Sequence, residues 1–468
     1  VATAPSAPVW LDVPVDADAL DARIWPAGAG RDEAGGMTLA GVPAADLARR
    51  FGTPLYVVDE DVVRDRASRI RRVFDEAFGR IGANVSVYYA GKAFLSTDVV
   101  RWVIEAGLHV DVCSGGELAV ALAAGADPAI LGFHGNNKSD AELRRATEVG
   151  VGTIVIDSPD EIERVAAFAT AAGRRQNVRL RVNSGVHAHT HAFLATAHED
   201  QKFGVPLESA VALVAAIRAQ PSLRFLGLHC HIGSQIFDAA GFAESAHRLI
   251  TVHAELLADG DVPELNLGGG FGIAYTTADT PADIDDIARG MASAVEAECS
   301  ARGIPVPRIA IEPGRWIVGP AGVTLYEVGT VKPVPVEGGE RLYVSVDGGM
   351  SDNARRALYE ADYAARIASR VSGAAPALSR VVGKHCEAGD IVVEADYLPS
   401  DIRRGDLLAV AATGAYCYSL ASNYNYLERP AVVAVRDGEA RVLVRRETPD
   451  DLVARDTGVA RTDEGARA

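Results

Sequence analysis

Lys92 is the first residue whose setting suggests chemistry. It closes the stretch Tyr88-Tyr89-Ala90-Gly91-Lys92-Ala93, in which a largely apolar run from Val85 to Ala90 ends at a glycine and delivers an amine. Nothing adjacent in sequence could neutralise that amine as a simple ion pair. A lysine at the end of a buried strand is costly unless it has a partner or a task. One such task is a Schiff base with a carbonyl cofactor, which ties the amine up covalently. The plain alternative is a surface lysine after a strand, so other stretches must carry the argument.

Three stretches do. Gly268-Gly269-Gly270-Phe271-Gly272 carries three successive residues without a Cβ, so that backbone N–H groups can converge on a phosphate. Ile309-Ala310-Ile311-Glu312-Pro313-Gly314-Arg315 delivers a carboxylate that could keep a pyridine nitrogen protonated, and an arginine whose planar fork suits a phosphate or a substrate carboxylate. A salt bridge between Glu312 and Arg315 is the structural alternative. Leu228-His229-Cys230-His231-Ile232-Gly233-Ser234 suggests a metal site at first sight. Along a strand, however, His229 and His231 share one face and Cys230 takes the other, and no further ligand set is evident. An imidazole stacked on a flat ring, with Ser234 on its phosphate, fits better. His187, His189 and His191 form a second alternating trio, for which a loop beside the site is preferred to zinc, so no metal is expected.

These residues need a frame. Strand-like runs occur at Val85–Tyr89, His109–Cys113, Ile130–Phe133, Gly152–Ile156, Val178–Val182, Arg224–His229, Glu264–Leu267 and Arg308–Ile311, with Ala-rich helical segments between them. Eight such repeats over about 250 residues predict a TIM-like (β/α)8 barrel. An open doubly wound sheet would carry a nucleotide fingerprint after its first strand, and none is there. Strand ends in such a barrel collect chemistry. Here they give Lys92, Asp111, His134 with Asn136, Asp157, Asn183, His231 with Ser234, the glycine run, and Glu312 with Arg315. Asp157-Ser158-Pro159 alone reads more simply as a helix N-cap. The glycine run follows the seventh strand, where barrel phosphate sites form.

Four segments are expected. Residues 1–36, rich in Ala, Pro, Gly and Asp, form an irregular, partly mobile arm; 37–58 join a β domain; 59–322 form the barrel; and 323–468 form an antiparallel β-sandwich or barrel of short Val-rich strands, with a frayed tail from Gly458. Net charge is −17 over 468 residues, which argues against a nucleic-acid surface. Five scattered cysteines without a C-x-x-C suit a reducing compartment. No apolar run approaches a membrane span and no signal-peptide pattern opens the chain, so a cytoplasmic location is expected.

Tyr89-Ala90-Gly91-Lys92, His229 to Gln235, Gly268 to Gly272 and Glu312-Pro313-Gly314-Arg315 together resemble the alanine-racemase-type (fold type III) pyridoxal-phosphate decarboxylases. The carboxy-terminal motifs Val346 to Asp352, Arg355, Tyr359, Gly383-Lys384-His385-Cys386-Glu387 and Thr413-Gly414-Ala415-Tyr416 narrow the resemblance to the diaminopimelate decarboxylase family, from about Thr38 to about Leu452. The chain departs from the family where Arg355-Arg356-Ala357-Leu358-Tyr359 replaces an Arg-Pro pair, which leaves Arg355 or Arg356 as the ligand. The segment Asn183 to Gln201 is also longer than in many relatives.

The resemblance implies conversion of meso-2,6-diaminopimelate to L-lysine and carbon dioxide with pyridoxal 5'-phosphate. It implies Lys92, His231, Glu312 and Cys386 as catalytic, with Lys92 holding the cofactor and the Cys386 thiol as the acid. Asp111, His231, Ser234, Gly268, Gly269, Gly270, Glu312, Gly314, Arg315 and Tyr416 would bind the cofactor, and Arg315, Arg355, Tyr359, Glu387 and Tyr416 the substrate. It further implies a homodimer with shared active sites. A decarboxylase of ornithine, arginine or carboxynorspermidine, a racemase, and an inactive regulator with the same fold are the alternatives. Burying a second arginine unpaired would cost on the order of several kcal/mol, so an ornithine enzyme would have no use for one.

Overall fold

Extended structure begins early. In the computed structural model, which describes residues 7–186, 202–337 and 339–458, β1 (Ala29–Arg31), β2 (Met37–Leu39) and β3 (Val42–Pro43) form a small antiparallel sheet. Ile24 and Trp25 are buried, and Arg31 Nη1 donates to Ile367 O at 2.8 Å while Arg366 Nε donates to Ala19 O at 2.9 Å. The segment expected as an arm is therefore packed from Ala17 onward, while Val9 and Val15 before it are fully exposed. Its small and proline residues hide two large apolar anchors and an arginine that satisfies distant carbonyls. The chain divides into two compact units: residues 1–60, 275–278 and 320–468 form one, and 61–274 with 279–319 form the other.

α1 (Ala44–Phe51) leads into β4 (Leu55–Asp59), whose five residues are all buried, and α2 (Glu60–Gly79) follows. The barrel strands are β5 (Val85–Ala90), β6 (His109–Val112), β7 (Leu131–Phe133), β8 (Thr153–Ile156), β9 (Gln176–Asn183), β11 (Leu223–His229), β12 (Glu264–Asn266) and β13 (Arg308–Ile311). The two-residue β10 (Val205–Pro206) pairs alongside β9. All eight barrel pairings are parallel and β13 pairs with β5, closing the ring. Between the strands lie α3 (Thr97–Glu105), α4 (Gly115–Ala123), α5 (Asp140–Val149), α6 (Pro159–Ala171), α7 (Ala210–Arg218), α8 (Ala240–Leu256) and α9 (Ile284–Arg302), and α10 (Arg315–Val318) is the short turn after β13. Serines start three of the helices: Ser96, Ser114 and Ser139 each accept a backbone N–H of the first turn through the side chain. Asp157 does not cap α6; its Oδ2 accepts the Gly204 N–H at 3.0 Å instead.

The barrel interior is polar. Along β6, β9 and β12 the apolar members Val110, Leu180 and Leu265 alternate with His109 and Asp111, Arg179 and Arg181, Glu264 and Asn266. Arg179 donates through Nε to Glu264 and through Nη2 to Tyr88 OH at 2.9 Å, linking β9, β12 and β5, which are not adjacent in the ring, so the three side chains meet inside it. Arg308 Nε closes the network on Glu264 Oε2 at 2.8 Å. Higher up, Lys138 Nζ donates to Gly135 O at 2.7 Å and to Glu161 Oε2 at 2.8 Å, and the same oxygen accepts the Asp157 N–H at 2.9 Å. This pair, each residue 2 % exposed, clamps the loops after β7 and β8 together.

The other unit is built on β14 (Gly322–Val336), β15 (Gly339–Val346), β16 (Ala365–Ile367), β17 (Pro376–Val382), β18 (Ile391–Pro399), β19 (Leu407–Ala411), β20 (Ala431–Arg436) and β21 (Glu439–Val444), with α11 (Arg355–Tyr359) after β15. β4 joins them between β14 and β20. The sheet is mixed rather than antiparallel. β4 runs antiparallel to β14 but parallel to β20, and β15 runs parallel to β17 because the long connection through α11 and β16 separates them. Among the described residues, no helix is long and apolar enough to cross a membrane.

Candidate active site

Register brings the barrel residues together. Ala90 of β5 is level with Asp111 of β6, which is level with Gly132 of β7; His229 of β11 is level with Asn266 of β12, which is level with Ala310 of β13. Lys92, His134, His231, Gly268 and Glu312 follow within two residues of these positions. Asp111 fits because Gly132 has no side chain: a Cβ there would stand 2.1 Å from Asp111 Oδ1.

Lys92 lies in a single 3-10 turn, Gly91–Ala93, and is exposed. The buried lysine expected from the apolar run is not what forms, because the turn after Ala90 swings the side chain out of the sheet. No hydrogen bond or ion pair holds its amine among the described residues, yet it stands close enough to His231 to oppose charge on that ring. The turn is anchored by Ala90 N–H, which donates to Pro313 O at 3.0 Å.

Glu312 is the most constrained carboxylate. Its Oε1 accepts from Asn266 Nδ2 at 2.7 Å and stands 2.9 Å from His229 Nε2 and 3.6 Å from His134 Nε2, while Oε2 has no partner among the described residues. It does not pair with Arg315. Burial opposes charge on this carboxyl, but the attraction of the His229 ring, 2.9 Å away and placed to donate a hydrogen bond, together with that of His134 outweighs it and holds it well below the usual range. Burial lowers His229 to about 4, so that ring is neutral near pH 7. Burial, reinforced by the Lys92 ammonium, also puts His231 well below the ordinary imidazole range. Asp111, by contrast, is pushed up by burial, against the opposing pull of His134 3.1 Å away. The ligand atoms of His134, His229 and Glu312 lie within 4.8 Å of one another, a spacing a metal ion could also use; here Oε1 already accepts the Asn266 amide.

The glycine run does more than expose N–H groups. A Cβ at Gly269 would stand 2.0 Å from Glu312 O, and one at Gly270 2.3 Å from Gly233 O, so the run lets the loops after β11, β12 and β13 interlock. Gly268 N–H donates to Asn266 Oδ1 at 2.8 Å and Gly269 N–H to His231 Nδ1 at 3.3 Å. Only the Gly270 N–H of the three has no partner among the described residues. Beside it, Arg315 Nη2 donates to Ser234 Oγ at 2.7 Å, fixing an otherwise exposed hydroxyl. Gly314 packs on Ala90 and Ala93, so this loop and the Lys92 turn support each other.

The residues expected in the β-rich unit form two groups. Arg355 is buried, donates to Tyr363 OH at 2.6 Å, and lies over the rings of Tyr275, Tyr363 and Tyr416 at 4.7, 5.6 and 6.0 Å. Its neighbour Arg356 is committed elsewhere, to Asp362 at 2.9 Å and Glu394 at 3.2 Å. Tyr359, Cys386 and Glu387 are exposed. The Cys386 N–H donates to Asn425 Oδ1 at 2.9 Å, beside His385, which is buried against Asp390 at 2.8 Å and stacked on Tyr424. Glu387 Oε1 accepts only a long bond, 3.4 Å, from Gly389 N–H.

Sequence reasoning placed His134 and His229 near the site but gave them no part in holding Glu312, and it missed Asn266, Tyr275 and Tyr363. The alternation around Asn266 was a usable signal: a polar residue two positions before a glycine run, on the inward face of a strand. His187, His189 and His191 lie outside the described residues.

Comparison with known proteins agrees with this geometry. Residues 63–319 match the family model described as pyridoxal-dependent decarboxylase, pyridoxal binding domain. The diaminopimelate decarboxylase of Mycobacterium tuberculosis is 51 % identical over 444 residues, covering 93 % of this chain and 98 % of that protein. The Bacillus subtilis diaminopimelate decarboxylase is 44 % identical over 430 residues, covering 91 % and 96 %. Among solved structures, diaminopimelate decarboxylase from M. jannaschii in complex with L-lysine superposes with a TM-score of 0.84 at 30 % identity, covering 92 % of this chain and 98 % of that one. With an open lysine, a pinned glutamate and a glycine loop on a closed barrel, and with relatives matched over nearly their full length, the chain belongs to the diaminopimelate decarboxylases of the pyridoxal-dependent decarboxylase family.

Proposed function

We propose that this chain decarboxylates meso-2,6-diaminopimelate to L-lysine and carbon dioxide, the last step of lysine synthesis by that route. The observation that carries the reading is Glu312 Oε2, the one oxygen of a pinned, ionised carboxylate left open among the described residues, on the same barrel end as an unpaired Lys92 amine.

These residues fit pyridoxal phosphate. Lys92 is an amine without a competing ion pair, Glu312 Oε2 is an anion for a ring N–H, and the Gly270 N–H and the Ser234 hydroxyl are donors for a phosphate. His231, neutral and with Nδ1 already accepting the Gly269 N–H, offers its ring face rather than a charge. Gly268, Gly269 and Gly314 serve by letting the loops close. When bound, the cofactor supplies an electron sink for the carbanion left by loss of the carboxylate. Glu312 would keep a proton on the ring nitrogen, and Asp111 Oδ1 takes the space that a side chain at Gly132 would fill.

The substrate's distal end carries an ammonium and a carboxylate. Arg355 is the reader of that carboxylate: a guanidinium walled by three tyrosines suits a planar anion, whereas Arg356 already pairs with Asp362 and Glu394. Tyr416, its ring 6.0 Å from the Arg355 guanidinium, flanks that reader; Arg315 and Tyr359 serve as further substrate contacts, and Glu387 meets the ammonium. The Cys386 thiol, exposed with its backbone fixed by Asn425, donates the proton that replaces carbon dioxide.

A two-fold dimer in which the Cys386 segment of one protomer serves the barrel of its partner completes the reading, and a cytoplasmic location goes with it. The exposed Leu358, Tyr359, Tyr424 and Tyr426 support a contact face on the β-rich unit. Release of carbon dioxide from meso-diaminopimelate, measured against ornithine, arginine and lysine, tests the activity; a preference for any of the three comparison substrates would overturn it. Borohydride reduction followed by peptide mapping should leave the pyridoxyl group on Lys92, and a label on another lysine would refute that assignment.

A further inference from the structure

His134 faces a second carboxylate besides Glu312. Its Nε2 lies 3.1 Å from Asp111 Oδ1 and 3.6 Å from Glu312 Oε1, so two carboxylates face each other across a single ring nitrogen. All three side chains are less than 10 % exposed. Neither Asp111 oxygen has a hydrogen bond among the described residues. Two adjacent buried carboxylates cannot both ionise unless a proton or a cation is shared with them. The other charged or titratable groups near this cluster are few. His229 packs edge-on against His134 at 5.2 Å and is neutral; Glu117 on α4 adds a further acid; Arg179 acts on Asp111 from below but is already paired with Glu264; Lys92 lies at the rim.

We propose that His134 is a positioning residue for Glu312: with Asp111 it holds one buried proton between the two carboxylates, keeping Glu312 ionised with Oε1 pinned and Oε2 open. Its site is the end of β7, one step beyond the backbone that Gly132 clears for Asp111, and the Lys138–Glu161 clamp fixes the loop that follows. Loss of the imidazole leaves the two carboxylates to share a proton between themselves, and Glu312 loses its charge for part of the time.

This inference rests on the proposed cofactor reading, and the test separates the two. The wild-type protein, His134→Leu and His134→Gln are each saturated with pyridoxal phosphate, and visible absorbance is followed from pH 6 to 10 alongside kcat, KM and cofactor affinity. A Glu312 that is neutral for part of the time no longer holds a proton at the cofactor's ring nitrogen, and a ring without that positive charge lets the Lys92 Schiff base keep its proton to higher pH, so the absorbance midpoint of His134→Leu should move up by about one pH unit. Its kcat should fall about tenfold or more with KM changed less than about threefold. His134→Gln fills the same space and donates one hydrogen bond but cannot carry the proton. It should keep the cofactor affinity of the wild type and still show the shifted midpoint. If His134→Gln restores both midpoint and kcat, the role is one of packing and the inference is wrong; it is equally wrong if His134→Leu leaves both unchanged. Should His134→Leu fail to fold, His134→Gln alone decides between these outcomes. A wild-type protein that develops no visible absorbance would instead overturn the cofactor reading itself.

Discussion

In the barrel unit, charge is held by buried partners: Arg179 by Glu264 and Tyr88, Lys138 by Glu161, Glu312 by Asn266 and His229. In the β-rich unit, Cys386, Glu387 and Tyr359 stand exposed on turns and a one-turn helix, and only Arg355 sits in a built pocket. The contrast teaches which part of the chemistry each region can perform. A cofactor that must stay put through many turnovers needs side chains whose geometry is over-determined, and buried networks provide that. Groups that meet a diffusing substrate or a second protomer need to be reachable, and exposed turns provide that. Both regions still depend on close-packed supports, because Gly269 and Gly270 interlock three loops in one and Asp352 ties down a loop in the other.

Breaking a buried network should give the largest effect. Glu264→Ala leaves the Arg179 guanidinium, 0 % exposed, without its carboxylate, and should lower stability by about 3–5 kcal/mol. Chemical denaturation read by circular dichroism measures this, and a loss below about 1 kcal/mol would contradict the network's importance.

A smaller effect is expected at the proposed substrate pocket of the β-rich unit. Arg355→Ala should lower kcat/KM by about 1.5–3 kcal/mol of transition-state binding, with the cofactor spectrum unchanged. Arg356→Ala removes only partly exposed pairs with Asp362 and Glu394 and should change kcat/KM less than about threefold. The reverse order of effects would move the substrate ligand by one residue.

The last effect is a pH dependence, spread over several pH units. Burial raises the Asp352 carboxyl from 3.8 to about 7. A carboxyl raised on folding binds its proton more tightly in the native state, so its contribution to stability is lost as pH climbs from about 4 through 7. Asp352→Asn removes that loss. The melting temperature of the variant relative to wild type should therefore rise between pH 5 and pH 8, and a difference that stays flat or falls would contradict the assignment.

Much of this was legible in the amino-acid order. The eight barrel strands announce themselves because apolar residues alternate or run together at regular intervals, and Lys92, His231, the glycine run and Glu312 follow from standing at strand ends. Period-two alternation tells which residues share a face, not which meet across a barrel. Arg179 and Glu264, 85 residues apart, therefore went unpaired until the ring closed. The same limit hid Asn266 and the role of His134. Composition misled at the amino terminus, where Trp25 and Arg31 outweigh the small residues around them. Strand order misled in the β-rich unit, because local pattern cannot show that β4 lies parallel to β20. Asn183 to Gln201 was expected to be long, and most of that segment lies outside the described residues.

The division of labour between the two regions is tested most directly by mixing two inactive variants. Lys92→Ala removes the barrel's amine and Cys386→Ala removes the proposed proton donor of the β-rich unit, and each should be nearly inactive alone. If the donor of one protomer serves the barrel of its partner, random re-association gives about half hybrid dimers, each with one intact site, and activity should return to about a quarter of wild type. Subunit exchange verified by mass or tag, with no activity regained, would contradict the shared site.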